Sequence, residues 1–122
     1  MQQPNPLQDN NNEPVANALL YDLSSIAEIG EPKSAEDYLY QQAATLAIAI
    51  KAYMLKTDDI REVLPHLEQD IKERKQLGLI KYGVELKPFN GRNTVLDMYE
   101  EALDLTFYSK CNVMEKLNAA NP

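Results

Sequence analysis

Apolar residues recur at helical spacing along most of this chain, and no segment shows the two-residue alternation of a strand. Val15 to Ile29 carries them at 15, 18, 19, 20, 23, 26 and 27, which predicts a short helix closed by Gly30-Glu31-Pro32. Ser34 is a good N-cap, with Asp37 three residues later in place of the usual Glu. The helix it opens runs to about Lys56, with Tyr38, Leu39, Ala43, Leu46, Ala47, Ile50, Tyr53 and Met54 at helical spacing. Apolar around much of its circumference, it has the pattern of a central helix. Thr57 or Asp58 caps the next helix. Pro65 is expected to divide that segment into a short turn and a longer piece, since proline favours a first helical turn, and Gly78 to close it. Leu79 to Thr94, containing Gly83, Pro88 and Gly91, reads as a loop. A last helix runs from about Thr94 to Leu117, with Asn93 or Thr94 as N-cap and Asp97 in the first turn, where the helix dipole favours a carboxylate. Met1 to Pro14 is rich in Gln, Asn and Pro and reads as a flexible arm. The expectation is an all-α chain: an arm over residues 1–14, then a single helical domain over 15–122 built as a four-helix bundle.

Composition narrows the chemistry. The chain of 122 residues is single-domain in size. It has no Trp and two Phe, so Leu, Ile, Ala and seven Tyr must fill the core. The net charge of −7 argues against broad binding to nucleic-acid phosphate and suits a cation site or a basic partner. Cys111 is the sole cysteine and His66 the sole histidine, so an internal disulfide is excluded and a zinc site disfavoured. His66 reads as structural rather than as a general base. The N-terminus lacks the pattern of a secretory signal, and the longest apolar stretch, Ala43 to Ile50, is too short to span a bilayer. The expected setting is the reducing cytoplasm, with no membrane and no direct nucleic-acid partner.

The segment Lys81 to Tyr108 is the most pointed. Asp97, Glu101 and Asp104 fall at i, i+4 and i+7, on one face of the last helix, with Tyr108 extending the stripe. No Lys or Arg interrupts it. On the preceding helix, Ile60, Val63, Leu64, Leu67, Ile71 and Leu77 form an apolar arc, and Asp70 and Arg74 fall inside it. Charges there are costly unless paired with each other or bound to an ion. Glu73 lies at the edge of that face. The Asp70-x-x-Glu73 and Glu101-x-x-Asp104 elements together offer an oxygen-rich cage of the kind a hard divalent cation such as Mg²⁺ requires. In the blander reading the stripe is a solvated helix face and Asp70–Arg74 an intrahelical ion pair. In the loop between, Lys81 and Arg92 are suited to phosphate, Tyr82 or Phe89 to stacking on a base, and Asn90 to reading a base edge. Tyr82 and Phe89 are residues that more often anchor an ordered loop, and Asn90-Gly91 is an ordinary turn pair.

The pieces PHLEQDIKERKQLG, KYG, PFNGRN and DMYEEALDL, over roughly the C-terminal half, resemble small phage and prophage proteins related to the MazG-like all-α nucleoside triphosphate pyrophosphohydrolases. That superfamily carries E-x-x-E on one helix and E-x-x-D on a later one. Glu101 and Asp104 match the second element; Asp70 stands where the first has Glu. The resemblance implies a MazG-like bundle, an oligomer, and Mg²⁺-dependent water attack at the α–β phosphate linkage. Asp70, Glu73, Glu101 and Asp104 would hold the metal, Asp97 and Glu101 would serve catalysis, and Lys81, Tyr82, Asn90, Arg92 and Tyr108 would bind the nucleotide. Two other functions fit the residues: a non-catalytic protein that sequesters a nucleotide, and an acidic phage protein that blocks a basic host protein.

Overall fold

The computed structural model describes residues 13–120; the arm expected over residues 1–14 lies almost wholly outside them. Among the described residues there are four α-helices and no strand: α1 (Val15–Ser24), α2 (Ala35–Leu55), α3 (Ile60–Tyr82) and α4 (Thr94–Ala120), with a 3-10 turn at Ile26–Glu28. The chain is therefore all-α. No helix among the described residues is long and apolar enough to cross a membrane. The chain divides into two compact units, one ending at Asn90 and one beginning at Gly91.

In the first unit, α1 and α2 each pack on α3. The expected helix over Val15–Ile29 ends early, at Ser24. The Ser24 and Ser25 hydroxyls both donate to the Tyr21 carbonyl, at 2.6 and 3.1 Å, offering the backbone a local alternative to the helical ladder. The α2 cap forms as expected. Ser34 accepts from the Asp37 N–H at 3.0 Å, while Asp37 reaches back to the Lys33 N–H at 3.0 Å. Lys56 closes α2 in a left-handed conformation, and the Thr57 N–H returns to the Ala52 carbonyl.

Helix α3 differs from its expected form at three points. Asp59, not Thr57 or Asp58, is its N-cap, accepting from the Arg61 N–H at 2.9 Å; Thr57 Oγ1 instead accepts from the Asp59 N–H. Pro65 does not divide it, because so near the start the missing N–H forfeits one ladder bond while the fixed φ remains helical. Gly78 does not end it; the left-handed C-cap is Gly83, at φ 75°. Lys81 and Tyr82 therefore belong to the last helical turn.

The core of this unit is thin. Val63, 1% exposed, is its most buried large side chain, joined by Leu23, with Leu64, Leu67 and Ile71 half-buried. Burying a side chain such as Val63 contributes roughly 1.5–3 kcal/mol. Asp22 is buried beside Leu23 and accepts from the Tyr40 hydroxyl at 2.6 Å, tying α1 to α2. Burial, then the Asp22 carboxylate, raise the Tyr40 hydroxyl far above its ordinary pKa. Lys75 joins the other side of the unit, donating to Asn17 at 2.9 Å and pairing with Glu85 at 3.1 Å. The Val15 N–H donates to the Leu86 carbonyl at 2.9 Å, so the chain leaving α3 is fastened to the start of α1.

The second unit is built on α4. Asn93 is its N-cap, accepting from the Leu96 N–H at 3.1 Å, and the helix reaches Ala120, three residues beyond the expected end.

Candidate functional site

The two acidic elements stand on different units. Asp70 and Glu73 lie on α3 of the first; Asp97, Glu101 and Asp104 lie on α4 of the second. Each set occupies adjacent turns of a continuous helix, so the i, i+3 and i, i+4 spacings place the carboxylates together on a face.

On α3, Asp70 pairs with Lys51 of α2 at 2.8 Å, not with Arg74. Lys51 is the more buried partner, and its stem lies along the α2–α3 contact. The charge inside the apolar arc is thus offset from a neighbouring helix. Glu73 is exposed and accepts from Gln69 one turn earlier, at 3.3 Å. At the end of α3 the Lys81 ammonium sits over the Tyr82 ring, 5.2 Å from its centroid, and both residues are exposed.

Asn90 ends the first unit in an exposed turn. Phe89, beside it, is 84% exposed and takes φ 58°. That left-handed backbone costs an L-residue roughly 1–2 kcal/mol, and a solvent-facing ring returns little of it. Gly91, which opens the second unit, takes φ 83° without such strain.

Arg92 and Asp97 form a bidentate pair: Nε donates to Oδ2 at 2.8 Å and Nη2 to Oδ1 at 2.9 Å. The Arg92 guanidinium holds the Asp97 carboxyl below the usual carboxylate range. The pair sits at the N-terminus of α4, where backbone N–H groups and the helix dipole add positive potential. One and two turns further on, Glu101 and Asp104 are exposed and carry no ion pair among the described residues. Tyr108 follows on the same face, also exposed. Within either unit, no three His, Cys, Asp or Glu side chains among the described residues gather as a metal-holding group.

Sequence reasoning missed Lys51, the cation that answers Asp70, and the Asp22–Tyr40 bond. Lys51 is one position past the apolar run Ala43–Ile50, a place where a cation must be partly covered once the helix is packed. Compared with family models, with curated proteins and with solved structures, the chain matches none.

Proposed function

We propose that this chain is a Mg²⁺-dependent, nucleotide-processing protein of MazG-like four-helix design, cutting a nucleoside triphosphate to its monophosphate and pyrophosphate. The observation that carries the reading is the acidic face of α4, with Arg92 paired to Asp97 at its head and, behind it, two exposed carboxylates, Glu101 and Asp104, that carry no ion pair among the described residues.

The donor set suits a hard cation, since all four carboxylates offer oxygen and Glu101 and Asp104 have no ion-pair partner among the described residues, while Asp70 has Lys51. Asp70, Glu73, Glu101 and Asp104 would hold Mg²⁺, which when bound neutralises phosphate charge and acidifies a coordinated water. Arg92, set by Asp97 at a helix N-terminus, would present its guanidinium charge to phosphate oxygens. Lys81 adds a second cation. Tyr82 and Tyr108 supply stacking surfaces, and Asn90 a base-edge contact. Glu101 takes a proton from the attacking water. The new P–O bond forms at the α-phosphorus, the α–β bridging bond breaks, and its electron pair leaves with pyrophosphate. Asp97 acts mainly by orienting Arg92, because both of its oxygens are engaged there.

The test is pyrophosphate release from a panel of ribo- and deoxyribonucleoside triphosphates with Mg²⁺. Glu101→Gln and Asp104→Asn should each cost at least about 100-fold in kcat/KM, the scale of losing a metal-setting group. A panel with no hydrolysed member overturns the reading. Tight nucleotide binding without turnover or metal dependence would instead favour sequestration.

A further inference from the structure

Helix α1 begins without a side-chain cap. Pro14 stands at its N-cap position and has no side-chain oxygen to offer the first N–H groups. The Val15 N–H is met instead by the Leu86 carbonyl at 2.9 Å, from the segment that follows α3. The Lys75 ammonium fastens the same two segments. It donates to the Asn17 side-chain oxygen at 2.9 Å and pairs with Glu85 at 3.1 Å. The side chains of that pair are only 30% and 26% exposed. A pair so covered is screened less than one in open water, and either charge left alone there is costly. Three parts of the first unit therefore meet at one cation: α1, α3 and the segment after α3.

We infer that Lys75 is a positioning residue for the proposed nucleotide contacts, holding through Glu85 the bend that carries Lys81, Tyr82 and Asn90. The inference rests on the nucleotide reading for what the bend does, and on the first unit alone for how the bend is held. Each of those three residues lies within four positions of Glu85 or Leu86. Two left-handed positions bracket the fastened pair: Gly83 closes α3 at φ 75°, and Phe89 takes φ 58° just before Asn90. A left-handed Phe persists only where its surroundings over-determine the backbone. Its own ring, 84% exposed, gives little such support. The fastening three and four residues upstream supplies it.

Lys75 acts through Glu85 and not on phosphate, since its ammonium is committed to Asn17 and Glu85. Without that charge Glu85 loses its counter-ion, and the Leu86–Val15 bond must hold the segment unaided. When that bond opens, the first N–H of α1 turns to water, so the state of the bend is readable at Val15. Lys81, Tyr82 and Asn90 keep their chemistry but lose their common placement. Such a loss weakens the bound substrate and the transition state alike, which raises KM and leaves kcat nearly unchanged.

Amide hydrogen exchange and steady-state kinetics on the full chain test this. Lys75→Met keeps the stem and removes the charge; Glu85→Gln keeps the shape of the acceptor and removes its charge. In Lys75→Met the Val15 amide should exchange at least about tenfold faster, with Glu85→Gln moving it in the same direction, while the Val63 amide in the core stays within about twofold. On a triphosphate that the wild type hydrolyses, KM should rise about tenfold in Lys75→Met with kcat within about twofold. Lys75→Arg, which keeps the charge, should recover most of both losses. Unchanged Val15 exchange in the two variants, an unchanged KM, or a kcat that falls while KM holds would each overturn the inference. Val63 exchange accelerated to the same degree would mark a general loss of the fold and overturn it too. A wild type that hydrolyses no triphosphate, with Val15 exchange still accelerated in Lys75→Met, removes the nucleotide reading and leaves the clasp standing.

Discussion

The bond between Tyr40 and Asp22 shows how a single residue sets conditions for its surroundings. Asp22 is buried and accepts a hydrogen bond from a hydroxyl 2.6 Å away. Tyr40→Phe keeps the ring and removes the donor, so it should cost about 1–3 kcal/mol in equilibrium denaturation, the penalty for a buried acceptor left without its partner. The sign of the pH effect follows from the raised Tyr40 value. Below the ordinary Tyr value of 10.0 the folded and unfolded chains both keep the proton and this contribution is complete; it is lost as pH rises through the higher folded value. Alkaline denaturation should therefore begin above about pH 10 and be blunted in Tyr40→Phe. Asp97 behaves oppositely. Its depressed value means that its contribution is present above the ordinary carboxylate value of 3.8 and is lost as pH falls through the lower folded value. Carbon-detected titration of the Asp97 carboxyl should show a lower midpoint than in Arg92→Ala; equal midpoints would remove the pairing from the account. Neither interaction was legible in the sequence. Asp22 and Tyr40 stand 18 positions apart, and Arg92 read as a cation awaiting phosphate when its nearest anion lay five residues ahead.

Among the elements, the helices themselves were readable, because the apolar period survives in each and Ser34 and Asn93 cap where their side chains can reach an N–H. The ends were less so. Gly78 looked like a terminator, yet α3 passes through it, since glycine weakens a helix by only about 1 kcal/mol whereas the left-handed turn needed to end one is placed at Gly83. The two glycines should respond in opposite ways. Gly78→Ala meets nothing within 4 Å and should raise stability by roughly 0.5–1 kcal/mol. Gly83→Ala must hold φ 75° and should lower it by about 1 kcal/mol or more. Thermal melts of both distinguish a continuous α3 from one that stops at Gly78, where the first substitution would destabilise. The central character expected of α2 is realised on one side only: Tyr40, Ala44, Ile48, Lys51 and Leu55 are half-buried while Leu39, Leu46, Ile50 and Tyr53 stay exposed, a division that periodicity alone does not show.

At the scale of the whole molecule, the proposed chemistry uses one face of α4. The acidic face carries Asp97, Glu101, Asp104 and Tyr108; the apolar stripe runs from Leu96 to Leu117 on the other side. The sequence showed the acidic face because like charges at i, i+4 and i+7 are unusual enough to notice. The grouping of α3 with α4 is a different matter, since Asp70 and Glu73 meet the α4 carboxylates only if the two units bring them together. That meeting is the central claim, and Mn²⁺, a paramagnetic stand-in for Mg²⁺, tests it directly. In amide NMR spectra at substoichiometric Mn²⁺, the account predicts selective broadening of residues 70–73 and 101–104 together, with Glu101→Gln abolishing both. Broadening confined to one of the two helices, or spread evenly over exposed carboxylates, would contradict it.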